Sequence, residues 1–179
     1  AEEGCDDLHG GSGQAPRLTS PAAVDEFFAR VQPQYVFHAG GRSGGIAENS
    51  QHPAELIYDN LLSAVHVIDA AHRHGVKKLF YLASSCSYPR LCPQPMREEQ
   101  LFGGPLEPTS AAYATAKLAG ARLCQAYRQQ YGADFIVGIP ADVFGPGDDF
   151  RPEHSHVIAA LLRRFHEAKL RGDQAVAVW

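Results

Sequence analysis

The sequence predicts an α/β fold, a doubly wound parallel sheet, and three observations carry that prediction. Tyr35-Val36-Phe37, Lys78 to Ala83 and Phe135 to Ile139 are solid apolar runs rather than alternating ones, as strands buried on both faces require. Segments with helical periodicity separate these runs, and strands that alternate with helices give a parallel sheet. The 179 residues, 45% of them hydrophobic, suffice for one domain with a real core.

Residues 1–19 are Gly-rich and irregular, so the ordered domain is expected over 20–179. Ser20-Pro21 reads as the N-cap and first position of a short helix ending near Val31. The first strand, 35–37, runs into the loop Ala39 to Gly45. A long helix then starts near Pro53. Its apolar stripe is expected at Ile57, Leu61, Ala64, Val65, Ile68 and Ala71, and Gly75 ends it as a left-handed cap. After the strand at 78–83 come a Pro-rich loop over 89–110 and a helix from about 111 to 130. The strand at 135–139 precedes a last helix with Val157, Ile158, Leu161, Leu162 and Phe165 on one side, and Ala175 to Trp179 is a fourth apolar run.

Composition excludes several classes of partner. A net charge of −4, a pI near 6.1 and the absence of a basic stripe argue against a nucleic-acid surface. No run approaches the roughly 18 apolar residues of a membrane span. Cys5, Cys86, Cys92 and Cys124 form no Cys-x-x-Cys pair, so neither a zinc site nor a disulfide framework is indicated. They are expected as reduced thiols in a cytoplasmic protein. Asp148-Asp149 reads as a solvated turn, and no metal site is expected. His66, His72 and His74 lie along the long helix without a carboxylate at ligand spacing, and belong at the surface or rim.

The chemistry-bearing motif is in two pieces. The strand at 78–83 empties into Ser84-Ser85-Cys86, and Tyr113-Ala114-Thr115-Ala116-Lys117 follows downstream. Tyr113 and Lys117 share one helix face. An ammonium beside a phenol favours the phenolate, so a lowered Tyr113 pKa is expected. A hydroxyl at Ser84 then binds the same substrate oxygen. That trio suits proton transfer to or from a carbinol while a nicotinamide exchanges hydride.

These residues, with Gly44-Gly45-Ile46, Ser84 to Pro89, Glu107-Pro108-Thr109, Ile139 to Pro146 and Ser155 to Ile158 leading to Leu162 to His166, resemble the extended short-chain dehydrogenase/reductase family. Within it the likeness is to the branch acting on GDP-4-keto-6-deoxy sugars, from about Ser20 to Trp179. The resemblance implies an incomplete Rossmann-like sheet and NADPH-dependent 3,5-epimerisation and 4-keto reduction, giving GDP-L-fucose or a close relative. By it, Tyr113 protonates the C4 oxygen, Lys117 holds the nicotinamide ribose, Ser84 hydrogen-bonds the C4 oxygen, and Cys86 and His156 move protons at C3 and C5. Protons beside a ketone are acidic, and a thiol and an imidazole titrate near the working pH. By the same resemblance NADP lies along Leu82, Ala83, Ser84, Ser85, Lys117, Pro140, Ala141, Asp142, Val143 and His156. Arg164 and Trp179 meet the GDP-sugar, and the long helix forms a homodimer. Two alternatives stand beside this reading. One is an NAD-dependent sugar-nucleotide 4-epimerase or dehydratase, which needs neither Cys86 nor His156. The other is a non-catalytic remnant without cofactor.

The chain departs from the family at its start. The family opens with a strand and a Gly-x-x-Gly-x-x-Gly turn that seats a pyrophosphate on a helix N-terminus. Gly10-Gly11-Ser12-Gly13 is the only candidate here, and Pro16 stands where the third glycine belongs. The first strand with its Gly-rich loop, and a C-terminal substrate lobe, are therefore expected to be absent from these residues. Asp142 stands where the family usually has asparagine, adding a negative charge near the nucleotide.

Overall fold

A computed structural model of the chain describes residues 7–10, 13–141, 143–151 and 155–178. The elements run α1 (Pro21–Val31), β1 (Tyr35–His38), α2 (Ile46–Gln51), α3 (Pro53–Arg73), β2 (Lys78–Leu82), α4 (Ala111–Tyr131), β3 (Phe135–Gly138) and α5 (Val157–Arg171). The three strands form one parallel sheet in the order β1-β2-β3. His38 faces Tyr81, and Phe37, Phe80 and Ile136 stand in one row across it. Helices α3 and α4 connect successive strands and pack along each other.

Local signals set the helix ends. The Ser20 hydroxyl accepts from the Ala23 amide at 3.4 Å, with Pro21 in the first turn, satisfying a donor the helix cannot. Helix α3 closes at His74 and Gly75, whose φ of +69° only glycine adopts without strain. Helix α2 is not visible as a periodic segment. It is six residues long and Pro53 immediately restarts the chain as α3.

The core lies between the sheet and helices α1, α3 and α4. Val24 and Phe28 from α1 meet Ala64, Val67, Ile68 and Ala71 from α3, Leu79 and Tyr81 from β2, Cys124 from α4 and Phe135 from β3. Burying each large apolar side chain contributes about 1.5–3 kcal/mol. The stripe of α3 is rotated from the expected one. Its buried residues are Leu56, Asn60, Ser63, Ala64, Val67, Ile68, Ala70 and Ala71, while Val65 is exposed. Two polar residues, Asn60 and Ser63, occupy the inner face, which shifts the apparent centre of the apolar pattern.

Among the described residues the large helices cover one face of the sheet. On the other, Phe37 is 76% exposed and Ile136 is also open. Residues 175–178 carry no strand. Helix α5 buries Ala159, Ala160 and Ala168, whereas Val157, Leu162 and Phe165 are exposed. Its small residues make the contacts, and its larger apolar side chains face outward.

Ser87, 1% exposed in the 3₁₀ turn Ser85–Ser87, has a hydroxyl with no hydrogen-bond partner among the described residues. An unpaired buried polar group costs about 1–3 kcal/mol. Ser87→Ala is therefore expected to raise the unfolding free energy by about 1 kcal/mol in urea titration; a decrease of that size would show that the hydroxyl has a stabilising partner.

Candidate active site

The carboxyl ends of all three strands open into one cleft of about 420 Å³, where open parallel sheets bind ligands. The chain leaves β1 through Ala39, Gly41 and Arg42, leaves β2 through Ala83 to Cys86, and leaves β3 through Pro140 and Ala141; all of these line it. Tyr113 and Lys117 enter from α4, and His156 from the N-terminus of α5. Of the residues singled out in the sequence, Leu82, Ala83, Ser84, Ser85, Cys86, Tyr113, Lys117, Pro140, Ala141, Val143 and His156 all line this one cleft. Asp142 and Trp179 lie outside the described residues. Arg164 is elsewhere, in a groove between α5 and the following segment, where its guanidinium donates to the Ala177 carbonyl at 3.2 Å.

Burial, rather than the lysine charge, governs Tyr113. Its pKa is raised by desolvation, opposed by a hydrogen bond from Ser84 that favours the phenolate, and raised again by Cys86. The expected lowering is not the net result, because desolvation dominates; the Lys117 ammonium stands 5.8 Å from the Tyr113 ring centroid and donates to the Leu82 carbonyl at 3.0 Å. Burial in turn lowers the Lys117 pKa. Burial therefore favours the protonated form of Tyr113. Ser84 accepts from the Cys86 amide at 3.3 Å, which fixes the turn that carries Cys86 to the exposed wall.

Three cleft residues escape a sequence reading. Asn60, buried in α3, donates to the Leu56 and Arg42 carbonyls at 2.8 Å each. A Cβ on Gly41 would come within 2.4 Å of its Oδ1, so the loop closes on Asn60 only with glycine there. Asn49 donates to the Gly44 and Gly45 carbonyls at 2.8 and 3.0 Å. Arg42 donates to Glu48 at 2.6 Å. The one sequence signal was an asparagine on the inward face of a long helix. Asp148 also lines the cleft and accepts from the Asp149 amide at 2.7 Å. His74 meets a carboxylate after all, Asp25 of α1 at 2.8 Å, because α1 and α3 pack together. Among the described residues no group of three His, Cys, Asp or Glu could hold a metal ion.

Beneath the cleft, burial and then the Lys117 charge hold His38 down to about 4 from 6.5. As pH falls, the unfolded chain takes this proton first. Stability is therefore complete above about pH 6.5 and lost progressively toward pH 4, by about 3 kcal/mol. His38→Leu is expected to flatten that part of the stability curve in urea melts from pH 7 to 4.5; an unchanged slope would show that His38 is not the group responsible.

The residues fit the nicotinamide end of a dinucleotide: a buried ammonium, a strand-end carbonyl edge and a glycine-only approach at Gly41. The sequence candidate for the pyrophosphate end is Gly10-Gly11-Ser12-Gly13, of which Gly11 and Ser12 lie outside the described residues.

The comparisons with known proteins fit this geometry. GDP-L-fucose synthase 1 of Arabidopsis thaliana is 51% identical over 162 residues, covering 90% of this chain and 50% of that protein. The GDP-L-fucose synthase of Escherichia coli K12 is 47% identical over 162 residues, covering 90% of this chain and 50% of that protein. The crystal structure of a GDP-D-glycero-L-gluco-heptose synthase from Campylobacter jejuni, in the presence of NADPH, superposes with a TM-score of 0.88 at 37% identity, covering 94% of this chain and 49% of that one. The chain thus spans about half the length of these relatives. A family model, the NAD dependent epimerase/dehydratase family, matches residues 11–179. With a parallel sheet, a strand-end cleft and the Tyr113–Lys117 helix, the chain belongs to the NAD dependent epimerase/dehydratase family.

Proposed function

We propose that the protein of which these residues are part is an NADP-dependent 3,5-epimerase and 4-reductase of a GDP-4-keto-6-deoxy sugar, with GDP-L-fucose or a close relative as product. The observation that carries the reading is that Ser84, Cys86, Tyr113, Lys117 and His156 line a single cleft at the strand ends. The likeness to two GDP-L-fucose synthases supports it.

A bound nicotinamide supplies hydride to the C4 carbon. Tyr113, kept protonated by burial, gives its proton to the C4 oxygen, and Ser84 hydrogen-bonds the same oxygen. Lys117 holds the ribose with an ammonium anchored on the Leu82 carbonyl. Cys86 and His156 remove and return protons at C3 and C5, which the neighbouring ketone makes acidic. The backbone of Leu82 to Ser85 and of Pro140 to Val143 borders the cofactor. Arg164, with Trp179, is the proposed contact for the nucleotide part of the substrate. Reduced Cys86, Cys92 and Cys124 agree with a cytoplasmic protein. Exposed Tyr58 and Val65 on α3 support a homodimer through that helix. No described helix is long and apolar enough to cross a membrane.

The test supplies the full-length protein with GDP-4-keto-6-deoxymannose and NADPH. NADPH consumption with formation of an epimerised GDP-sugar is the expected result; no consumption would refute the proposal. Cys86→Ser is expected to abolish epimerisation. Turnover that survives this change would point instead to a plain 4-epimerase or dehydratase.

A further inference from the structure

His38 is a buried imidazole that the proposed reaction does not use. It ends β1 and is 5% exposed. It is the cross-strand partner of Tyr81, with ring centroids 5.5 Å apart, and its Nε2 lies 3.4 Å from the Ser63 hydroxyl of α3. Lys117 descends from α4 onto the same Tyr81 ring, its Nζ 5.5 Å from the centroid. The backbone that follows His38 runs beside both groups. A Cβ on Gly40 would come 3.9 Å from His38 Nδ1, and one on Gly41 would come 3.8 Å from Lys117 Nζ.

We propose that His38 is a positioning residue for Lys117: uncharged, its ring completes with Tyr81 the floor that seats the ammonium on the Leu82 carbonyl, and a proton on that ring drives the ammonium away. The proposal rests on the reading of Lys117 and Tyr113 given above. Among the described residues, the groups around His38 supply no compensating charge. From α4 come the Lys117 cation and Cys124, whose thiol burial pushes up to about 12. From β2 comes Tyr81, whose phenol burial also pushes up. Tyr113 beside Lys117 is held protonated by burial, and α3 presents the Ser63 hydroxyl. A proton on His38 therefore meets the like charge of Lys117 in a poorly screened interior.

Coupling between two sites is reciprocal. If the ammonium resists the His38 proton, removing the ammonium must ease it. His38 ring resonances are followed against pH in the full-length protein and in Lys117→Met. The titration midpoint of His38 is expected to rise by about half a pH unit or more in the variant while staying below the ordinary value, because burial remains. An unmoved midpoint overturns the proposal. This readout needs no catalysis, so it stands apart from any failure of the proposed enzyme reaction.

The second arm is kcat against pH from about 4 to 7 for wild type, His38→Leu and His38→Gln. Gln keeps an acceptor for Ser63 but has no ring to titrate. Both variants are expected to carry the acid limb to lower pH, with about twofold more of their neutral-pH activity retained at pH 4 than wild type, since a group titrating near 4 is about half protonated there. Acid limbs identical to wild type, or a shift in the Leu variant alone, overturn the positioning role.

Discussion

Tyr113→Phe in the full-length protein is expected to lower kcat for ketone reduction by about 10²–10⁴-fold, the usual worth of a placed proton donor. The phenyl ring keeps the packing that makes Tyr113 mostly buried, so nucleotide KM should change little and the fold should persist. Only the O–H is lost, and with it the proton proposed for the C4 oxygen. Because burial raises the Tyr113 pKa, the wild-type alkaline limb belongs above the ordinary range of a phenol. Deuterium uptake from solvent at C3 and C5 of the keto sugar reads a separate step. It is expected to continue in Tyr113→Phe, since Cys86 and His156 are intact. Reduction and exchange falling together by the same factor would show that Tyr113 is not dedicated to the C4 oxygen.

Gly120→Ala is expected to destabilise the protein by about 2–3 kcal/mol, at the upper end of the usual cost of overpacking a core. In an exposed helix the same change would stabilise by about 1 kcal/mol, so the sign itself is diagnostic. The reason is steric. Gly120 lies in α4 directly above Tyr81, and a Cβ there would come 2.3 Å from the Tyr81 hydroxyl and 2.4 Å from the ring carbon that bears it. Tyr81 is among the fully buried side chains, so neither the ring nor the helix has free space to yield into. Tyr81→Leu removes both the hydroxyl and the ring carbon that bears it. Gly120→Ala combined with Tyr81→Leu should therefore lose less stability than the sum of the two single changes. Strict additivity in urea melts would count against this contact as the cause. The Tyr81 ring also lies under Lys117, so the single change is expected to raise nucleotide KM as the ammonium is displaced.

Much of the architecture was legible in the chain because its signals are local. Ser20-Pro21 set the start of α1 through a side-chain acceptor and a fixed φ. Gly75 marked the end of α3 through a backbone angle other residues resist. The three apolar runs became the three strands, and Tyr113 and Lys117 fell on one face of α4 through helical spacing alone. The convergence of Ser84, Tyr113 and Lys117 on one cleft also follows from order, since consecutive parallel strands carry their carboxyl ends to the same edge.

What the chain concealed depends on partners distant in sequence. Helix α2 was hidden because six residues carry too little periodicity. The inner face of α3 was misjudged because Asn60 and Ser63 are polar, and their burial is balanced by the Arg42 carbonyl and the His38 ring. That Arg164 donates to the Ala177 carbonyl was equally hidden, because only the packing of α5 brings the segment after it alongside.

The amino-acid order by itself determined the element sequence, the helix ends and the family-like set of reactive side chains, since spacing and backbone preference act within a few residues. Only the tertiary structure decided that burial raises the Tyr113 pKa, and that His38 and Lys117 lie against the same Tyr81 ring. Desolvation and like-charge repulsion depend on which surfaces meet, and strands far apart in the chain settle that only when they pair.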